Sequence, residues 1–322
     1  MALPVVSVVI PCYNAVAWIA DAIHSALAQT YSPVEVVVVD DGSTDGSREI
    51  IQSFDGRIRF DFLNHGGAPK ARNRGLKLVS GEFIQFLDAD DILFPHCVGR
   101  KVQTILREEA DIVFSGGFFF DERANAGHYE PQIPLAADRA SAVAQIIASS
   151  IQSSWLMCRK PSLESIGGFD ETLNMGQEHD LLVRLALRGF KLAHVPEPLS
   201  LNRTGHNPYS ITTITAQNPI HLETLMRRFE ERLANSPVWT SQVRMALARR
   251  FHGIGVRYLA IRNKKEAIKM FRHARKITPL YSLYLPRSRQ YLVPLIGGYL
   301  SERFLSGLRH LFPRRSYKSY AA

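Results

Sequence analysis

The sequence predicts an α/β fold, a mostly parallel sheet flanked by helices, followed by a basic helical C-terminal extension. Three observations point there. Short runs of Val, Ile and Phe that do not alternate with polar residues recur through the first hundred residues, as strands buried on both faces require. Stretches of helical length and amphipathic pattern separate them, and a helix between strands is what a parallel crossover needs. The charge also divides. Residues 1–220 hold 18 Lys and Arg against 25 Asp and Glu, whereas residues 221–322 hold 21 against 5, which together give the net +9. We therefore expect two domains, 1–220 and 221–322.

The elements follow in order. Val5 to Ile10 reads as the first strand, Trp18 to Gln29 as an amphipathic helix and Val34 to Val39 as the second strand. A helix near Ser47 to Phe54, a strand at Ile58 to Leu63, a helix from Lys70 to Val79 and a strand at Phe83 to Leu87 continue the alternation. His96 to Glu109 and Asp111 to Phe114 add a helix and a strand. After Gly117 the pattern is irregular: an aromatic run Phe118-Phe-Phe120, a polar loop through Pro134, a helix near Ala140 to Ser150, a strand at Trp155 to Cys158 and a helix at His179 to Arg188. From residue 220 helices dominate, at His221 to Ala234, Ser241 to Ile261 and Lys265 to Ile277. In the second of these, Leu247, Phe251, Ile254 and Tyr258 share one face, with Arg244, Arg249 and Arg257 off it. No 34-residue period supports a repeat array.

Composition excludes several classes. With 46% hydrophobic and 21% charged residues, the chain is neither disordered nor collagenous. Cys12, Cys97 and Cys158 are widely spaced, which argues against a disulfide framework or zinc site and for a reducing, cytoplasmic setting. No apolar run reaches the roughly 20 residues of a spanning helix. The first ten residues lack a basic flank and read as a strand rather than a signal peptide.

In open α/β sheets, ligands collect at the carboxyl ends of the strands, so the polar clusters there are the candidates. The first strand ends in Pro11-Cys-Tyr-Asn14, the second in Asp40-Asp-Gly-Ser-Thr-Asp45 and the fourth in Asp88-Ala-Asp-Asp91. No G-x-G-x-x-G follows the first strand and no G-x-x-x-x-G-K-[ST] occurs, which disfavours a dinucleotide dehydrogenase and a P-loop NTPase. Asp40 and Asp41 are placed to accept hydrogen bonds from a nucleoside, or else to form a turn and cap the helix at Ser47. Three carboxylates in Asp88 to Asp91 repel one another unless a cation or hydrogen bonds offset the repulsion. Such an oxygen-rich set suits Mg²⁺ or Mn²⁺ carrying a diphosphate; capping of the helix near Pro95 is the other use of Asp91. In Asn64-His-Gly-Gly-Ala-Pro-Lys-Ala-Arg-Asn-Arg74, the glycines, Pro69, Lys70 and Arg72 make an anion-friendly helix start. Glu178 and Asp180 open a later helix, either as caps or as a base facing a cleft.

Together these segments resemble the family 2 inverting glycosyltransferases of GT-A fold, over roughly residues 4 to 215. The segments come in that family's order: Val8-Val-Ile-Pro-Cys-Tyr-Asn14, Val38-Val-Asp-Asp-Gly-Ser-Thr-Asp45, Ala71-Arg-Asn-Arg-Gly75, Phe86-Leu-Asp-Ala-Asp-Asp91, Gly167-Gly-Phe-Asp170 and Gln177-Glu-His-Asp-Leu181. The resemblance implies a nucleoside-diphosphate sugar, most often UDP-linked, near Pro11, Tyr13, Asn14, Asp40 and Asp41, with Lys70, Arg72, Asp88 and Ala89 also in contact. It implies Mn²⁺ or Mg²⁺ at Asp90 and Asp91, with His206 as a further contact. Many members read Glu-Asp-x-Asp-Leu where this chain has Gln177-Glu-His-Asp180, so the alignment puts Glu178 at the catalytic base and Asp180 at the supporting position. Trp155 is expected either to stack on an acceptor sugar or to sit in the core. The implied activity is sugar transfer to a hydroxyl acceptor, saccharide or lipid-linked, in surface polysaccharide or glycolipid synthesis; a non-catalytic nucleotide-sugar-binding scaffold is the alternative. The basic residues after 220 lie between Leu, Phe and Tyr without a nucleic-acid motif, so their expected partner is an anionic membrane surface, reached peripherally, or the segment only caps the catalytic domain.

Overall fold

A computed structural model describes residues 2–121, 126–130, 136, 138–204, 218–279, 281, 293, 297–303 and 305. The first unit, Met1–Thr215, is built on one sheet. Its first half is a regular alternation: β1 (Val6–Cys12), α1 (Ile19–Leu27), β2 (Val34–Asp40), α2 (Ser47–Gln52), β3 (Arg59–Phe62), α3 (Ala68–Leu78) and β4 (Phe83–Phe86). Every residue of β1 and β4 is buried, which is why neither strand alternates in polarity. Then come β5 (Ile92–Leu93), α4 (Cys97–Arg107), β6 (Ile112–Asp121), β7 (Ala126–Glu130), α5 (Arg139–Ala148), a 3₁₀ turn at Ser153–Trp155, β8 (Leu156–Arg159), α6 (Lys160–Ser165), α7 (Gln177–Arg188) and β9 (Leu192–Thr204).

The sheet order is β3-β2-β1-β4-β8-β6-β9-β5, with β7 paired to β6. Neighbours among β1 to β4 are parallel, and β6 runs parallel to β9; β8 is antiparallel to both β4 and β6. Among the described strands, six of nine point the same way, with β5, β7 and β8 reversed. The mostly parallel sheet with flanking helices is thus present. One core lies between β1, β2 and β4 and helices α1 and α4, around Val8, Ile10, Ile19, Ile23, Val38, Phe83, Val98 and Ile105.

Besides the short unforeseen β5, β7 and α6, three stretches differ from expectation. The aromatic run Phe118–Phe120 is not irregular; it extends β6 to Asp121, pairing Phe119 with His128 of β7 and Asn202 of β9. Strand β9 escapes a period-2 reading because the register against β6 slips between Ser115/Gly116 and Gly116/Phe118, where Pro198 faces Gly116. Trp155 belongs to the 3₁₀ turn and is fully buried, its indole N–H donating to Asn202 Oδ1 at 2.9 Å; it is a core aromatic and not an acceptor platform.

The second unit, Ala216–Ala322, holds α8 (Ile220–Ala234), α9 (Ser241–Ala260) and α10 (Lys264–Ile277). Thr240 and Asn263 cap the last two through their side chains. Leu225, Phe229, Leu247, Phe251, Ile254, Met270 and Phe271 are buried, while Arg244, Arg249 and Arg257 are exposed, as the helical period predicts. No helix among the described residues is long and apolar enough to cross a membrane.

Candidate active site

The carboxyl ends of β1, β2 and β4, the start of α3 and the first turn of α7 supply the candidate residues. The β2 end is a closed polar turn. Asp40 is fully buried: its carboxylate accepts from Gly42 N at 3.2 Å, from Ser43 N at 3.1 Å and from Arg48 Nε at 2.7 Å. It does not cap α2; Asp45 Oδ1 receives Ser47 N at 3.1 Å instead. Asp41, 2% exposed, accepts from Gly66 N at 2.9 Å and Gly67 N at 2.7 Å, with His65 Nδ1 at 2.9 Å. Two backbone donors before α3 are therefore already engaged by a carboxylate. Gly42, at φ +83°, also brings this turn so close to the α3 lead that an added Cβ would lie 2.8 Å from His65 N.

At the β1 end Asn14 adopts the left-handed region, φ 47°, and its Oδ1 accepts from Thr44 N at 2.9 Å, tying the first two strand ends together. Pro11 is buried beneath them. Tyr13 is 37% exposed and stacks on His65 at 4.2 Å between ring centres, an aromatic pair at the rim of the β1 and β2 ends. Lys70 is exposed beside Gly66.

Arg72 stands elsewhere than the exposed helix start. It is 3% exposed, and its guanidinium spans three elements: Nη1 donates to Gln177 Oε1 at 2.5 Å, and Nη2 to Asp88 Oδ1 at 2.6 Å and Ser153 Oγ at 2.9 Å. Glu178 Oε1 lies 3.6 Å from the same Nη2, and the Phe169 ring lies 5.3 Å from the guanidinium carbon. Arg72 Nε is buried with no hydrogen-bond partner among the described residues. Glu178 keeps 15% of its side chain exposed. Burial raises its carboxyl above the ordinary 4.5; Arg72 opposes that shift and the like charge of Asp88 adds to it.

Neither acidic residue of α7 is a cap, since Gly176 holds that position without a side-chain bond. Asp180 is fully buried and pairs with Arg184 Nε at 2.6 Å, while Arg184 Nη1 reaches Ile166 O at 2.9 Å. The first turn thus separates two carboxylates: one faces the cluster around Arg72 and the other is locked into the fold.

The Asp88-Ala-Asp-Asp91 turn splits in the same way. Asp91 is 4% exposed and does not cap α4, whose N-cap is His96. Its Oδ2 accepts from Ser154 Oγ at 3.0 Å and from Asn202 Nδ2, and its Oδ1 from Arg203 N at 3.2 Å. Burial first, then the charges of Asp90 and Asp88, push its carboxyl well above the usual range. Asp88 keeps 28% of its side chain exposed, and the carbonyl of the half-buried Asp90 accepts from Arg203 Nη1 at 3.2 Å. Ala89 is buried between them.

Among the described residues no three His, Cys, Asp or Glu converge as a metal cage. The donor chemistry nonetheless fits Mg²⁺ or Mn²⁺, because hard carboxylate oxygens crowd one turn, and such an ion takes one or two of them and completes its shell with phosphate and water. His206 lies outside the described residues. Sequence reasoning missed His65, Ser153, Ser154, Gln177 and Asn202 as members of the site; Gln177 had a signal in its place next to Glu178, and His65 in its place before Gly66 and Gly67.

Residues 7–166 match the family model for glycosyl transferase family 2. An uncharacterized glycosyltransferase of Rickettsia conorii is 29% identical over 221 residues, 66% of this chain and 36% of that protein. Glycosyltransferase GlyG of Streptococcus pneumoniae is 37% identical over 121 residues, 36% of this chain and 40% of GlyG. The chain thus spans well under two thirds of the length of these relatives. In fold it resembles S. aureus TarS 1–349 in complex with UDP-GlcNAc, with TM-score 0.66 at 18% identity, covering 94% of this chain and 92% of that one. It also resembles the mannosyltransferase PcManGT of Pyrobaculum calidifontis in complex with GDP-Man and Mn²⁺, with TM-score 0.58 at 16% identity, covering 96% and 87%. Sequence family and fold agree, and the chain carries a glycosyl transferase family 2 domain of GT-A fold.

Proposed function

We propose that this chain is an inverting glycosyltransferase that moves a sugar from a nucleoside-diphosphate sugar, UDP-linked by preference, to a hydroxyl of a saccharide or lipid-linked acceptor in surface polysaccharide or glycolipid synthesis. The observation that carries this reading is the convergence of Glu178, Arg72 and Asp88 from α7, α3 and the β4 end, with Glu178 raised in pKa and partly open to solvent. A base must be ionisable near working pH and able to reach its proton.

In this reading the nucleoside lies over the β1 and β2 ends, with the Tyr13–His65 pair as its stacking surface and Asp41 holding the loop before α3. Lys70 faces the phosphates. Asp88 faces the donor, and a divalent ion held by Asp90 and Asp91 would neutralise charge on the departing diphosphate. Glu178 takes the acceptor hydroxyl proton while the acceptor oxygen bonds to the anomeric carbon and the bond from that carbon to the diphosphate oxygen breaks, its electron pair leaving with the nucleoside diphosphate. One displacement at one carbon inverts its configuration. Asp180 supports the turn through Arg184. The test is NMR of the product formed from an α-linked UDP-sugar and Mn²⁺: a β-linked product is expected, and an α-linked product overturns the inverting mechanism.

The domain division at about residue 220 and peripheral attachment of residues 221–322 to an anionic membrane are part of the same proposal, supported by 21 basic against 5 acidic residues there. Co-sedimentation with vesicles containing phosphatidylglycerol, with and without those residues, tests it; binding that ignores salt or the segment's removal overturns it.

A further inference from the structure

A dipeptide outside every recognised motif holds both flanks of the acidic turn. Ser153 Oγ donates to Asp88 Oδ2 at 2.7 Å, and Ser154 Oγ donates to Asp91 Oδ2 at 3.0 Å. The peptide that follows them, Ser154–Trp155, is itself held. Ser154 O accepts from Gln85 Nε2 at 2.9 Å and from Lys101 Nζ at 3.1 Å, and Lys101 Nζ also donates to Gln85 Oε1 at 2.9 Å. Lys101 projects from α4, is fully buried, and lies beside Cys97 and Cys158. No salt bridge to Lys101 occurs among the described residues.

A buried ammonium without a carboxylate is costly, and burial lowers the pKa of Lys101. Besides Gln85 Oε1 and the Cys97 thiol, the group that this amine holds is one carbonyl. That carbonyl belongs to the residue whose hydroxyl orients Asp91, and the same hydroxyl accepts from Asn202 Nδ2 at 2.7 Å. We propose that Lys101 is a positioning residue, which acts through the Ser154 carbonyl and so through the Ser153-Ser154 segment to hold the Asp88 to Asp91 turn in the geometry that receives a divalent cation with a nucleoside diphosphate.

The proposal rests on the reading of that turn as the cation and diphosphate site, and the experiment separates the two. Binding of UDP is measured by calorimetry with and without Mn²⁺, and Tm is measured without ligand, for the wild type, Lys101→Met, Ser154→Ala and the double variant. Wild-type protein that shows no Mn²⁺-dependent UDP binding ends the reading of the site itself. Given wild-type binding, Lys101→Met, which leaves Gln85 Oε1 without its donor and so lowers Tm, is expected to weaken Mn²⁺-dependent UDP binding about tenfold while the chain still folds. Ser154→Ala is expected to weaken it similarly, and the double variant to be no weaker than the worse single one, because both act through one peptide. Lys101→Met with wild-type affinity, or additive losses in the double variant, overturns the proposal. So does a Lys101→Met chain that fails to fold while Ser154→Ala binds as the wild type.

Discussion

Replacing Glu178 by Gln and Asp180 by Asn separates the two carboxylates of the α7 first turn, and the structure predicts opposite effects. Gln keeps the volume of Glu178 while removing the ionisable oxygen, so the proton acceptor is lost without a cavity. General-base catalysis is worth about 10²–10⁴ in rate, or about 3–5 kcal/mol at about 1.4 kcal/mol per decade. The loss should fall on kcat with donor KM little changed. Stability should not fall, because the substitution also removes a desolvated charge and its repulsion with Asp88. Asn at 180 breaks a buried pair instead. Asp180 is 1% exposed and Arg184 17%, and Arg184 Nη2 is already without a hydrogen-bond partner among the described residues. Removing one member of such a pair costs about 3–5 kcal/mol, which in a unit of this size lowers Tm by roughly 6–20 °C at about 2–4 °C per kcal/mol. Steady-state kinetics and thermal unfolding of the two proteins supply the comparison. Glu178→Gln at wild-type turnover, together with Asp180→Asn inactive at unchanged Tm, would refute the assignment and make Asp180 the base.

Three further outcomes follow from particular contacts. The carboxyl of Glu178 is raised above 4.5, so kcat should climb with pH through an acidic limb above that value, since only the ionised form accepts the proton; a limb at or below 4.5 contradicts this. Gly117→Ala would place a Cβ 2.2 Å from Trp155 Nε1 and 2.3 Å from Asn202 Oδ1, so overpacking of about 1–3 kcal/mol is expected, read as a lower denaturation midpoint in urea. Asp41→Ala leaves Gly66 N and Gly67 N without their carboxylate, and nucleotide affinity by calorimetry should drop several-fold with the loop before α3 unpinned.

Most of the fold was legible because burial writes itself into composition. The buried runs of β1, β2 and β4 and the stripes of α9 and α10 are long-period patterns that any core imposes. What escaped depends on partners distant in sequence. β9 is broken by a register slip at prolines, and β5 has only two residues. The candidate site divides the same way. Strand ends advertised Asp40, Asp41 and Asp88, and a helix start Glu178, as carboxylates in odd places, but their division of labour is geometric. Asp40 and Asp91 are hydrogen-bonded within the fold, and Arg72 sits at the hub of an acidic cluster and not at an exposed helix start. Ser153 and Lys101 carry no motif at all, and only the packing of α4 and β8 against β4 brings them there.

The proposed chemistry depends on the Asp88 to Asp91 turn receiving a nucleoside diphosphate with a divalent cation. Calorimetric titration of UDP into the wild type and Asp90→Asn, each with and without Mn²⁺, tests it most directly. Mn²⁺ is expected to tighten UDP binding at least tenfold in the wild type, and Asp90→Asn to lose this enhancement while staying folded. Metal-independent UDP binding, or an enhancement that survives in Asp90→Asn, would contradict it.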